Sequence, residues 1–315
     1  MSTLLLNMLP VFAACFAGWL LGKQQQLDIR TLGMIVIYAI APVVNFDAVL
    51  KAPLTGAMLA LPIAAFLVGG ANSLLSYRLA QHCLSEKDHV LFVASAASSA
   101  NTLYYGLGLA LAVLTAELIP AFCVTAIGLS VSESVFGYYF LARTNFSWRM
   151  ALQRVLRLPV LSAVALALLL KLCLPVESLV ATIAPLAGYC RGALILLGSM
   201  ILGVALGQSQ QFRFHPRLTG VVLITRHCLF ALLVFTLLTL DTSSTQFIPA
   251  SYQTIFLLFA LMPIANNSLT FATTLGLPTE AISSTIILSN GFAIILAGLL
   301  VSGGFNGTVT FADMK

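Results

Sequence analysis

Ser98-Ser99-Ala100-Asn101-Thr102-Leu103-Tyr104-Tyr105-Gly106-Leu107-Gly108 is a polar, glycine-bearing interruption inside an otherwise apolar segment. A second interruption, Ala265-Asn266-Asn267-Ser268-Leu269-Thr270-Phe271-Ala272, lies in another apolar segment far along the chain. Asn101-Thr102-Leu103 and then Tyr105-Gly106 match Asn267-Ser268-Leu269 and then Phe271-Ala272 in residue type, position by position. Two hydrophobic segments are therefore broken at corresponding places. Inside a bilayer, opened backbone is tolerated only where protein or a water-filled cavity receives its polar groups, so paired breaks point to a binding site in a secondary transporter. The plainer reading is a pair of kinked helices packed through small residues.

The rest of the chain fits a membrane setting. Hydrophobic residues make up 60% and charged residues 8% of the 315 positions, against about 25% charged in soluble domains. At about 20 apolar residues per span there is room for about ten helices and no separate soluble domain. Apolar segments are expected at about 4–22, 31–50, 54–79, 89–114, 119–141, 156–174, 183–207, 218–240, 252–277 and 279–301. The first has no basic residue ahead of its apolar run, which continues through Cys15 to Gly22, and is read as a span rather than a cleavable leader. The six cysteines are scattered singly with no metal-ligand spacing, so neither a disulfide nor a metal site is expected.

Lys23, Arg30, Arg78, Lys87, Arg143, Arg149, Arg154, Arg157, Arg213 and Arg217 fall in alternate connections, while Lys51, Lys171, Arg191 and Lys315 fall on the other side. This bias places the basic loop inside and both termini outside the cytoplasm of a multi-pass inner-membrane protein. The formal charge of +5 is thereby explained by orientation, and no nucleic-acid partner is needed. Five segments on either side of the loop is an odd number, so the second half must be inverted relative to the first. The expected fold is an all-α membrane protein of ten transmembrane helices in two inverted repeats of five. Repeat one covers about 1–142, a basic cytoplasmic hinge about 143–155 and repeat two about 156–303. Segments four and nine are the broken ones.

Glu133 lies well inside segment five, where a carboxylate costs about 2.5 to 3.5 kcal/mol to insert. Such residues mark ion pathways, which makes Glu133 the candidate for proton or ion coupling. Arg191 and Arg226 are candidate partners for Glu133 or contacts for an anion, which a guanidinium can grip with two hydrogen bonds; both could equally snorkel to the interface. Asn101, Asn266 and Asn267 offer amides that donate and accept beside opened backbone, and Thr102, Gly106, Pro263 and Ser268 complete the expected substrate-binding set. Helix starts after the breaks favour an anion there. Asn45 and Asp47, near the exit of segment two, could face either water or a cavity, and an interfacial end is the plainer reading. Among the histidines only His227, next to Arg226, is placed to join a pathway, and a structural role is the commoner one. No HExxH, Walker loop or GxSxG occurs, so neither catalysis nor a cofactor is expected.

Several stretches together resemble the auxin efflux carrier family of membrane transporters over nearly the whole chain. They are Pro42, Asn101 followed by Gly106, Leu158-Pro159, Gly192-Ala193-Leu194-Ile195-Leu196-Leu197-Gly198, and Met262-Pro263-Ile264-Ala265-Asn266. The resemblance implies that segments four and nine cross as broken helices in a transport domain that moves against a scaffold. It also implies a carboxylate-type anion as substrate. Gly108 and Arg191 stand where many members have proline. The function expected is a secondary active carrier for a small organic anion, working by alternating access and coupled to protons or sodium, with a homodimer as one assembly open to it. A sodium-coupled carrier like the bile-acid symporters, or a channel or sensor built on the same breaks, are the alternatives.

Overall fold

The computed structural model describes residues 2–53, 56–98, 100–209 and 214–302. Ser99, Arg213, Lys315 and the Gly-rich tail, on which parts of the sequence reading rest, lie outside the described residues. Every regular element among the described residues is helical. They are α1 (Ser2–Gln24), α2 (Ile29–Lys51), α3 (Gly56–Cys83), α4 (Lys87–Ala97), α5 (Leu107–Val113), α6 (Ala116–Asn145) and α7 (Trp148–Leu156). There follow α8 (Pro159–Cys173), α9 (Glu177–Gln208), α10 (Pro216–Ser243), α11 (Ala250–Leu261), α12 (Asn267–Thr274) and α13 (Glu280–Ser302).

Six of these, α2, α3, α6, α9, α10 and α13, are long and apolar enough to cross a membrane. Each exceeds the roughly 20 residues, or about 30 Å, that the hydrocarbon core demands. Two of the other segments expected to span are the interrupted ones: α4 with α5 and α11 with α12 are halves of 7 to 12 residues. Pro159 starts α8 at a bend of 46° from α7, because proline fits a first helical turn but cannot continue one. Leu169, Leu172, Tyr189, Leu232 and Ile295 stand exposed on the outer surface, whereas Asn72, Ser73, Glu133, Arg226 and Asn266 are buried. Apolar outside and polar within is the arrangement a lipid solvent selects.

Local chemistry sets the helix ends. Asp28 caps α2 by accepting from the Arg30 N–H at 3.0 Å and the Thr31 hydroxyl at 2.5 Å. These contacts, the Thr31 hydroxyl foremost, hold its carboxyl below the usual carboxylate range. Gly276, at φ +69°, ends α12 in a Schellman turn: the Leu277 N–H donates to the Ala272 carbonyl at 2.9 Å and the Gly276 N–H to the Thr273 carbonyl at 3.1 Å.

α1 lies along α9, and glycines on both helices make the approach possible. A Cβ on Gly203 or Gly207 would collide with the backbone of Cys15 or Trp19, and one on Gly18 or Gly22 with the backbone of Met200 or Val204. Each helix thus presents a small-x-x-x-small pair to its neighbour, the device by which membrane helices gain close van der Waals contact. α8 lies along α2 in the same way, and the Lys171 ammonium closes the pair by donating to the Leu50 and Ala52 carbonyls. In both pairs the helices run parallel, since Gly18 and Gly22 meet Met200 and Val204 in ascending order, and the α8 and α2 C-terminal ends meet at Lys171.

Candidate functional site

The two breaks meet. The Asn101 N–H donates to the Pro263 carbonyl at 2.9 Å, and a Cβ on Gly106 would strike the Met262 sulfur at 2.5 Å. Neither break can close into helix without losing this junction. Asn101 then accepts the Gly106 N–H on its own carbonyl at 2.8 Å, which opens the first turn after the break, Thr102–Gly106, to π-helical width. Ser289 Oγ accepts the Ile264 N–H at 3.2 Å in the second break. Backbone groups freed by interrupting the helices are thus taken up by protein, as burial requires.

Beside the junction lies a cavity of about 410 Å³. Its wall is mostly apolar, with Val36, Ile37, Leu103, Ile127 and Leu194 among the lining residues, and its polar groups are few: Asn45, Lys51, Asn101, Thr102, Ser130, Glu133, Ser134, Arg191 and Asn267. An apolar chamber with a small set of convergent polar groups is the usual form of a small-molecule site. It reaches Ala52 and Pro53 in the α2–α3 connection and Pro120 near the start of α6.

Three π-helical turns feed side chains into this wall. They are Val36–Ile40 in α2, Thr102–Gly106 and Glu133–Gly137 in α6. A widened turn shifts the helical phase, and such turns recur at functional sites. Glu133 is 3% exposed, and the Asn267 Nδ2 donates to its Oε2 at 3.0 Å. The Ser130 hydroxyl donates to Asn45 Oδ1 at 3.1 Å, and Asn45 donates in turn to the Ala41 carbonyl at 2.9 Å.

Near Lys51 the cavity wall carries charge. Asp47 is fully buried, with Lys51 Nζ at 2.7 Å and Arg191 Nη2 at 3.1 Å, whereas both cationic side chains remain 42% exposed. One carboxylate between two cations leaves a surplus positive charge within this cluster. Burial of Asp47 is tolerable only because it is paired.

The structure thus gathers Asn101, Thr102, Glu133, Arg191 and Asn267 around one chamber. Gly106, Pro263, Asn266, Ser268 and Arg226 do not line it. Gly106 and Pro263 form the junction behind it, while Asn266 and Ser268 are buried at the start of α12. Arg226 is not beside the chamber but at the C-terminal end of α11, where its Nη2 donates to the Phe259 carbonyl. Nor does either arginine pair with Glu133: Arg191 takes Asp47 and Arg226 a backbone carbonyl. Asp47 itself is no interfacial end but a buried anchor. Its signal was the i, i+4 spacing from Lys51 within an apolar segment. Asn45 and Ser130 carried no signal separable from ordinary polar helix positions.

Comparison with protein-family models and with characterised proteins matches nothing, so the functional reading rests on this geometry.

Proposed function

We propose that the protein is a secondary carrier for a small organic anion, built as two inverted repeats of five crossings, with the chamber at the junction of the breaks as its binding site. The observation that carries the reading is the junction itself. Two interrupted segments far apart in sequence meet through the Asn101 N–H and the Pro263 carbonyl, and the residues that open both following helices, Thr102 and Asn267, line one cavity. Helix starts carry partial positive charge, and the cationic surplus at Lys51 and Arg191 adds to it. An anion of carboxylate type fits that field.

The packing supports the repeat. α1 with α9 and α8 with α2 are the pairs that an exchange of two five-segment halves relates, since α1 and α8 open each half and α2 and α9 follow them. Their parallel directions support one net crossing by the first broken segment, and the repeat extends the same to the second. Between α1 and α9 an odd number of crossings must intervene for the two to run the same way, and α2, α3, α4–α5, α6 and α8 supply five only if α4 with α5 crosses once. With the repeat applied to the second half and the Lys and Arg bias, both termini face away from the cytoplasm. Glu133, tied to the second break and facing the chamber, is the residue through which proton coupling would reach the substrate.

The test is a counterflow screen in proteoliposomes: vesicles loaded with one unlabelled carboxylate take up its labelled form only if a carrier exchanges it. Saturable exchange of at least one small carboxylate is the expected result. Uptake that neither saturates nor shows counterflow would favour a channel on the same breaks.

A further inference from the structure

Each interrupted segment leaves a half-helix whose last carbonyls have no helical partner, and the two ends are closed by different chemistry. At the end of α4, Asn72 Nδ2 donates to the Ala97 carbonyl at 2.9 Å and the Ser73 hydroxyl to the Ala94 carbonyl at 2.6 Å. Both groups are neutral. At the end of α11, Arg226 donates to the Phe259 carbonyl, and His227 Nδ1 lies 3.1 Å from the Ala260 carbonyl. Arg226 is 0% exposed, its guanidinium lies 4.2 Å from the centroid of the Phe230 ring, and its Nε and Nη1 have no acceptor among the described residues. Among the described residues its charge meets no carboxylate within 4.0 Å.

Hydrogen bonding does not account for a guanidinium here. A neutral amide and hydroxyl close the equivalent end of α4, and burying a charge with two idle nitrogens is far costlier than burying an amide. What the arginine adds is its charge. The C-terminal end of a helix carries about half a negative elementary charge, and the end of α11 is sealed beside Phe259 and Met262, 1% and 0% exposed, where water cannot screen it. The face of Phe230 supplies further negative potential.

We propose that Arg226 is a tethered cation, seated where a free alkali ion would otherwise have to bind the terminal carbonyls of α11, so that the second break is electrostatically complete without sodium. For its consequence, anion transport independent of sodium, the assignment rests on the carrier reading above; the electrostatic role of Arg226 is measured without any substrate. Glu133 is left as the carboxylate facing the chamber, which favours proton over sodium coupling.

The experiment compares thermal unfolding of purified wild-type protein and of Arg226→Lys, Arg226→Gln and Arg226→Ala in choline, sodium and guanidinium chloride at equal, millimolar strength. Wild type should unfold at the same temperature in sodium and choline. Arg226→Lys should stay within about 2 °C of wild type, while Arg226→Gln, which keeps donors and loses the charge, should fall by about 5 °C or more. Arg226→Ala should regain part of its loss in guanidinium and none in choline. Saturable stabilisation of the wild type by sodium would overturn the proposal, and so would an Arg226→Gln protein as stable as wild type with Arg226→Lys below it. If Arg226→Ala cannot be purified, the Lys and Gln variants decide. These outcomes are read in melting temperature, whereas failure of the carrier reading would appear in the counterflow screen, so the two can fail separately.

Discussion

Asn267 donates to Glu133 at 3.0 Å, joining the first residue of α12 to a π-helical turn of α6. The contact links the second break to the one carboxylate among the cavity-lining residues. A change in the charge or position of Glu133 is therefore felt where the proposed substrate would sit.

Glu133→Gln keeps an acceptor for Asn267 and removes the charge. Folding and substrate binding should persist while accumulation driven by a pH gradient is lost, as measured by uptake into proteoliposomes with and without an imposed gradient. A variant that accumulates substrate like wild type would reduce Glu133 to a structural hydrogen-bond partner.

Asn101→Ala and Asn267→Ala should each weaken anion binding about tenfold or more, because a buried hydrogen bond to a charged group contributes about 1.5 to 3 kcal/mol. If both amides act on one ligand, the double variant should lose less than the sum of the single losses or more than it, but not their simple sum. Strict additivity in equilibrium binding would argue for two separate sites.

Arg191 has two roles to separate, counter-ion of Asp47 and anion contact. Arg191→Ala should raise the KM for anion uptake about tenfold, with greater loss at low ionic strength, where the wild type gains most from steering. Adding Asp47→Asn to Arg191→Ala would restore uptake if pairing were the only role. We expect folding to improve and the KM to stay high.

Gly203→Leu should drive a side chain into the backbone of α1 at Cys15. Overpacking of this kind costs about 1 to 3 kcal/mol, and more where the neighbour is backbone that cannot swing aside. The melting temperature in detergent should drop, whereas Gly192→Leu, whose Cβ would meet nothing within 4 Å, should be silent.

A cysteine placed in residues 143–157 should react with impermeant thiol reagents only from the cytoplasmic face, and one at Ala52 only from the opposite face. Labelling of both from one face would contradict the orientation and, with it, the inverted relation of the halves.

Membrane character, the helical class and the two breaks were legible in the chain alone, because they depend on composition and on local rules. Runs of apolar residues must be helical in lipid, prolines and paired asparagines interrupt them, and basic residues mark the loops. The matched breaks mark Asn101 and Asn267, and a carboxylate deep in an apolar segment marks Glu133. The partners of the charged residues were not legible. Whether Arg191 meets Glu133 or Asp47 depends on how α9 lies against α2, and a long side chain on a helix gives no hint of the helix it will face. The π-helical turns that aim Val36, Thr102 and Glu133 at one chamber have no sequence signal, since each is a local concession to packing by neighbours remote in the chain. Only the tertiary structure brought the Asn101 N–H to the Pro263 carbonyl, and only it set Arg226 at the end of α11 instead of in the chamber. Desolvation acts on groups according to what surrounds them in space, and that neighbourhood is assembled only when the helices pack.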